Sequence, residues 1–166
     1  METYIYPEEK ELREVGVRGI YLSNYFFYDG NFNYKIAKEN YGWKERLKPF
    51  DRTFRTFSNV DDMHENGIHD YLKFIKFGFG RGTDHANYEV RLNNITKEEG
   101  IKLVLKYDHI KPSDLSGWCD YVEMTEDEFY YYADKFRDKR VWSKKNGFWI
   151  KKDVDGKTRP YHKVKS

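Results

Sequence analysis

Apolar positions recur at three- and four-residue intervals along much of this 166-residue chain, which predicts a largely helical protein. The clearest stripe is Ile68, Tyr71, Leu72, Ile75 and Phe79, and it predicts a helix over 61–77. Gly78, Gly80 and Gly82 interrupt the stripe, and Thr83 opens a second short helix through about Leu92, with Asp84 in its first turn. Thr96 with Glu99, and Thr125 with Glu128, are capping boxes: in each, two side chains satisfy free amides at a helix start. Ile101, Val104 and Leu105 follow the first box, and Phe129, Tyr132, Ala133 and Phe136 the second, one face each. Residues 29–41 read as a helix with Phe32 and Ile36 on one face and Gly42 at its stop, and 113–122 as another short one.

Three stretches break the helical period. Over 17–25, Val17, Ile20, Tyr21 and Leu22 sit together with little alternation, as in a strand covered on both faces. No neighbouring strand follows for a hundred residues, so this strand is expected to have lost its sheet. Residues 43–59 show no period and predict a long connection of the kind that often carries function. Beyond Arg140, Asn146-Gly147 separates Val141-Trp142 from Phe148-Trp149-Ile150 and predicts a two-residue hairpin, with Trp142 and Trp149 on one face. Asp155-Gly156 offers a second turn, so the chain should end in a small antiparallel meander. The fold class is therefore α/β: a predominantly helical fragment with one orphan strand and a terminal meander.

Composition narrows the function classes. Aromatics make up 19% of the residues, with 15 Tyr and 12 Phe, so the core should be largely aromatic. Acids and bases nearly cancel at +2, which leaves no overall pull toward nucleic acid or membrane. One cysteine, Cys119, permits neither an internal disulfide nor a cysteine zinc site, and no leader-like apolar run opens the sequence, so a cytoplasmic location is expected. No apolar stretch approaches the roughly 20 residues needed to span a bilayer.

The densest candidate chemistry lies at the glycine corner. Lys76, Arg81 and the glycines between them precede a helix start, the combination that lets backbone amides and a helix dipole meet a phosphate. The spacing fits neither the dinucleotide fingerprint nor the P-loop, and the same glycines would serve a sharp turn between two helices. His69-Asp70 and Asp84-His85 place imidazoles beside carboxylates, but neighbours on a helix point apart. With Asp61, Asp62 and His64 they show no metal-ligand spacing and read as solvated helix faces. Asp153-x-Asp155-Gly156 lacks the downstream Glu of a calcium loop and reads as a turn. The tail from Lys135 interleaves basic and aromatic residues, as single-stranded nucleic-acid binders do, yet Asp138, Asp153 and Asp155 interrupt its field.

In combination these stretches resemble a family, the N-acetyl sugar amidotransferases of lipopolysaccharide O-antigen and pseudaminic-type acid biosynthesis, in the PP-loop ATP pyrophosphatase superfamily. The likeness lies in 16–25 through Asp29, in 67–81 followed by Thr83, Asp84 and Arg91, in 96–107, and in 124–137. Tyr28 stands where that family usually has Trp. The resemblance implies a carboxyl-terminal half divided as 1–29, the last strand of a parallel nucleotide-binding sheet; 30–140, a helical substrate-side region; and 141–166, the meander. It implies Lys76, Arg81 and Arg91 as contacts for pyrophosphate or a sugar nucleotide, Asp84 as orienting an Arg, and Asp29 at the cleft rim. ATP and Mg are implied for the complete enzyme, with a separate PP-loop half and glutaminase-type ammonia-supplying subunits as partners. This sequence holds no Ser-Gly-Gly-x-Asp-Ser loop, so it is expected to bind neither cofactor and to be inactive alone. The rival reading is a helical interaction module or a single-stranded nucleic-acid-binding module.

Overall fold

The structure is a computed structural model that describes residues 5–58 and 66–164. The chain divides into two units, 1–44 and 45–166. Among the described residues there are seven α-helices and one three-stranded sheet, so the fold is α/β and mostly helical.

The first unit carries α1 (Glu9–Val15) and α2 (Gly30–Tyr41), and neither helix has a buried residue. Asp29 caps α2, accepting a hydrogen bond from the Asn31 amide at 2.9 Å, and Gly42 closes it in the left-handed conformation. The strand expected over 17–25 is absent. Residues 17–21 are irregular, and Leu22–Asn24 form a single 3-10 turn stabilised by the Tyr25 amide bonding back to Leu22. The physical reason is that extended backbone needs a ladder partner, and among the described residues no strand lies beside it. Val17, Ile20, Tyr21 and Leu22 are all exposed.

The second unit is built around α3 (Asn66–Phe77), which crosses a core of Ile68, Tyr71, Phe74, Ile75, Leu115, Cys119, Phe129, Ala133 and Trp142. The helical stripe is rotated from the one the sequence suggested, because Phe74 is buried whereas Leu72 and Phe79 are half-exposed. Of the predicted helix 61–77, residues 61–65 lie outside the described residues. Next comes α4 (Arg81–Arg91), beginning two residues earlier than Thr83, and then α5 (Lys97–Tyr107), α6 (Leu115–Tyr121) and α7 (Glu126–Asp134). Both capping boxes form, at Thr96–Glu99 and Thr125–Glu128, with the reciprocal bonds that their sequence pattern requires. Aromatic edges interlock through the core: Phe74 meets Trp142 at 5.6 Å and Tyr161 at 5.3 Å, and Phe129 meets Trp118 at 5.8 Å.

The terminal meander is β1 (Trp142–Lys145), β2 (Phe148–Lys152) and β3 (Thr158–Lys163), antiparallel in sequence order. Asn146 and Gly147 both take positive φ, at 51° and 75°, so the first hairpin turns as the sequence predicts. Trp142 pairs with Lys151, and Trp149 with Lys144, so the two tryptophans share a face. The Arg137 guanidinium lies over both rings, at 4.3 and 4.8 Å, and donates from Nε to Asp134 at 2.8 Å. That carboxylate also accepts from Trp149 Nε1 at 2.6 Å, which ties α7 to the sheet.

Candidate functional site

The corner between α3 and α4 gathers one of the two clusters of paired charged side chains in the second unit, the other lying at the meander. Gly78 is left-handed there, at φ 77°, and a Cβ on it would come within 2.6 Å of Val141. Gly80 and Gly82 have a different reason to be glycine. An added Cβ would stand 3.3 Å and 2.7 Å from Asp108 Oδ1, which has entered the corner from the end of α5.

Asp108 is the anion of this corner. Its carboxylate accepts from the Gly80 amide at 2.9 Å, the Thr83 amide at 2.9 Å and the Thr83 hydroxyl at 2.5 Å. It therefore caps α4 from 25 residues away and satisfies the helix dipole as a bound phosphate would. Behind it lies Arg52, 2% exposed, which donates to the carbonyls of Asp108, Ile110 and Asp70 and stacks over Tyr71 at 4.9 Å. Burial pulls the Arg52 guanidinium down to about 10, with Asp108 opposing, so it stays cationic at neutral pH. The Gly80 and Thr83 amides of the glycine corner are thus already engaged by the Asp108 carboxylate.

A second layer of charge faces outward. Arg81, in the first turn of α4, holds Asp70 of α3 in a two-point fork: Nε to Oδ2 and Nη2 to Oδ1, each 2.9 Å. That bond holds the Arg81 pKa above its usual value. The Asp70 side chain is 4% exposed and that of Arg81 is 30%, so the guanidinium has donors left for a ligand after the fork uses two of its five. Lys73 pairs with Asp84 at 2.5 Å and lies over Phe79 at 4.8 Å. Beside them His85 Nδ1 bonds the Thr53 hydroxyl at 2.6 Å, and Arg55 pairs with Glu89 at 2.5 Å. Burial first, then the nearby Arg55 and Arg81 charges, push the His85 imidazole down to about 4, so it is neutral at pH 7.

Of the residues chosen from sequence, this arrangement unites Arg81 and Asp84 alone. Asp70, not Asp84, orients Arg81, and Asp84 is held by Lys73. Lys76 is exposed at the end of α3, its ammonium 4.9 Å from the Phe77 ring. Arg91 is exposed at the other end of α4, about 15 Å from Arg81 along a helix of ten further residues. Asp29 belongs to the first unit, as the cap of α2.

Asp70 and His85 are not solvated, as the sequence reading held, but partnered inside the site, whereas His69 is exposed. Asp61, Asp62 and His64 lie outside the described residues. Sequence reasoning missed Arg52, Asp70, Lys73, His85 and Asp108. An i, i+3 pairing of Asp70 with Lys73 on a single helix face was the one available signal.

Among the described residues no group of three or more His, Cys, Asp and Glu could hold a metal, and no helix is long and apolar enough to cross a membrane. Part of the basic tail is paired, Arg140 with Asp138, Lys151 with Asp153, and Arg159 with Asp153 and Asp155, while Lys139, Lys144, Lys145, Lys152 and Lys157 form no ion pair among the described residues. The Asp153–Gly156 segment is a turn, closed by the Gly156 amide bonding the Asp153 carbonyl at 2.9 Å.

No curated protein matches the chain. A family model described as "LPS biosynthesis protein WbpG-like, C-terminal domain" matches residues 51–154, a span that runs from beside Arg52 through the corner to the end of β2.

Proposed function

The chain belongs to that family of lipopolysaccharide-biosynthesis C-terminal domains, and from this premise we propose that it forms the substrate-side wall of an ATP-dependent N-acetyl sugar amidotransferase. The reaction would replace the oxygen of a sugar acetamido group by ammonia nitrogen, leaving an acetamidino group. Activation of that oxygen falls to a PP-loop half, because this sequence has no such loop and its glycine corner is filled by Asp108. Ammonia would come from a glutaminase-type partner. The apolar, exposed residues Val17, Ile20, Tyr21 and Leu22 are the surface we assign to the PP-loop partner.

The observation that carries the reading is the Arg81–Asp70 fork within the matched span. It holds a guanidinium rigid, part-exposed and oriented, which suits the phosphates of a sugar nucleotide. The His85 imidazole beside it stays neutral at pH 7 and adds no positive charge of its own to the site. The test is sugar-nucleotide binding by the assembled enzyme with Arg81→Ala made together with Asp70→Asn, so that no buried carboxylate is left unpaired: affinity should fall about tenfold or more relative to Asp70→Asn alone. Unchanged affinity would mean that the site lies elsewhere.

A further inference from the structure

A separate surface of the second unit has a different chemistry. Helices α3, α6 and α7 leave between them an open groove of about 300 Å³ whose walls include Leu72, Trp118, Phe129, Tyr132 and Phe136, with Lys76 at the edge. Phe129 at its floor belongs to the core, but two of the groove's rings stand clear of it, Phe136 at 65% exposed and Tyr132 at 52%. Two ammonium groups flank them. Lys76 stands on α3, and Lys135, at the end of α7, holds its Nζ 5.0 Å from the Tyr132 ring and 3.9 Å from Tyr131. Around this unit Lys73, Arg81, Arg137 and Lys151 all pair with carboxylates. Lys76, which lines the groove, and Lys135, which stands outside it beside the Tyr132 wall, form no ion pair among the described residues, as holds for Lys144, Lys145 and Lys152, but these two put their positive charge next to apolar walls.

We propose that this groove binds a small amphipathic anion, an apolar body carrying a single phosphate or carboxylate. The apolar body lies against Trp118, Tyr132 and Phe136, and the head group sits between the two lysines. Volume favours a small ligand: the groove is at the lower end of the roughly 300–1,000 Å³ typical of small-molecule sites. Charge selects the ligand's sign, because a desolvated phosphate opposite two unpaired ammonium groups gains charge-assisted hydrogen bonds that a neutral head group cannot make. The site is distinct from the Arg81 corner, so the proposal does not depend on the amidotransferase reading.

The test uses octyl phosphate as probe and backbone amide NMR of the full chain as readout. Octyl phosphate should shift amides of α3, α6 and α7, and octanol should bind about tenfold more weakly. Lys76→Gln with Lys135→Gln should bring octyl phosphate down to the octanol level, and Phe136→Ser, at an exposed position, should weaken both probes without unfolding the chain. Equal binding of octanol, shifts confined to residues outside the groove, or no binding at all would overturn the proposal. Capture by anionic phospholipid vesicles without any response to octyl phosphate would also overturn it, in favour of a membrane-surface contact.

Discussion

Replacing Asp108 with Ala should be among the most damaging single changes in the second unit, although Asp108 lies in no predicted motif. The substitution removes one acceptor from the Gly80 amide and two bonds to Thr83, and it uncaps α4. It also leaves the buried Arg52 guanidinium without the carboxylate that most favours its charge. Bonds to a charged acceptor contribute about 1.5–3 kcal/mol each, and a helix cap about 1 kcal/mol. These terms overlap, because water can reach part of the vacated space, so the expected loss is about 3–5 kcal/mol. Asp108→Asn keeps the shape and one acceptor oxygen and should cost roughly half as much. Thr83→Val, which deletes only the hydroxyl bond to this carboxylate, should cost about 1.5–3 kcal/mol. Urea unfolding of the full chain, followed by circular dichroism, measures all three. A loss below about 1 kcal/mol for Asp108→Ala would refute the claim that this carboxylate organises the corner.

Gly82→Ala should destabilise despite a helix-propensity gain of about 1 kcal/mol, because its Cβ would stand 2.7 Å from Asp108 Oδ1. Adding Asp108→Ala should remove that penalty, which a double-mutant cycle on urea midpoints would show. His85 gives a pH signature: its folded pKa of about 4 lies below the unfolded value of 6.5, so the unfolded chain takes up the proton first as pH falls. Its contribution is intact above 6.5 and is lost between 6.5 and 4, by up to about 3 kcal/mol, and His85→Asn should flatten the stability profile across that window. Thr125→Ala should cost about 1 kcal/mol by opening the α7 capping box, seen as a lower melting temperature.

Features set by neighbouring residues were legible in the sequence. The two capping boxes, the Asn146-Gly147 turn and the shared face of Trp142 and Trp149 all depend on contacts within about ten residues, and each formed as expected. Features set across the fold were not legible. The glycine corner has the composition of an anion cradle, yet the anion is Asp108, which lies 28 residues from Gly80 and ends a helix whose pattern says nothing about that role. Arg52 sits in a connection without periodicity, and only its burial beneath the corner reveals its part. Asp70 and His85 looked like helix surface because adjacent residues diverge. The neighbouring elements, Arg81 on α4 and Thr53 in the 45–58 connection, give each its partner. At 17–25 the apolar run was real but no strand followed from it, since a run of side chains does not supply the backbone partner that a strand requires.

The most direct measurement mixes this chain with a separately expressed PP-loop half, ATP, ammonia and an acetamido sugar nucleotide, and follows replacement of the acetamido oxygen by nitrogen with mass spectrometry. The account predicts conversion only when both proteins are present, and a marked loss when the chain carries Arg81→Ala. Conversion by the PP-loop half alone, or none with any such half, would contradict it.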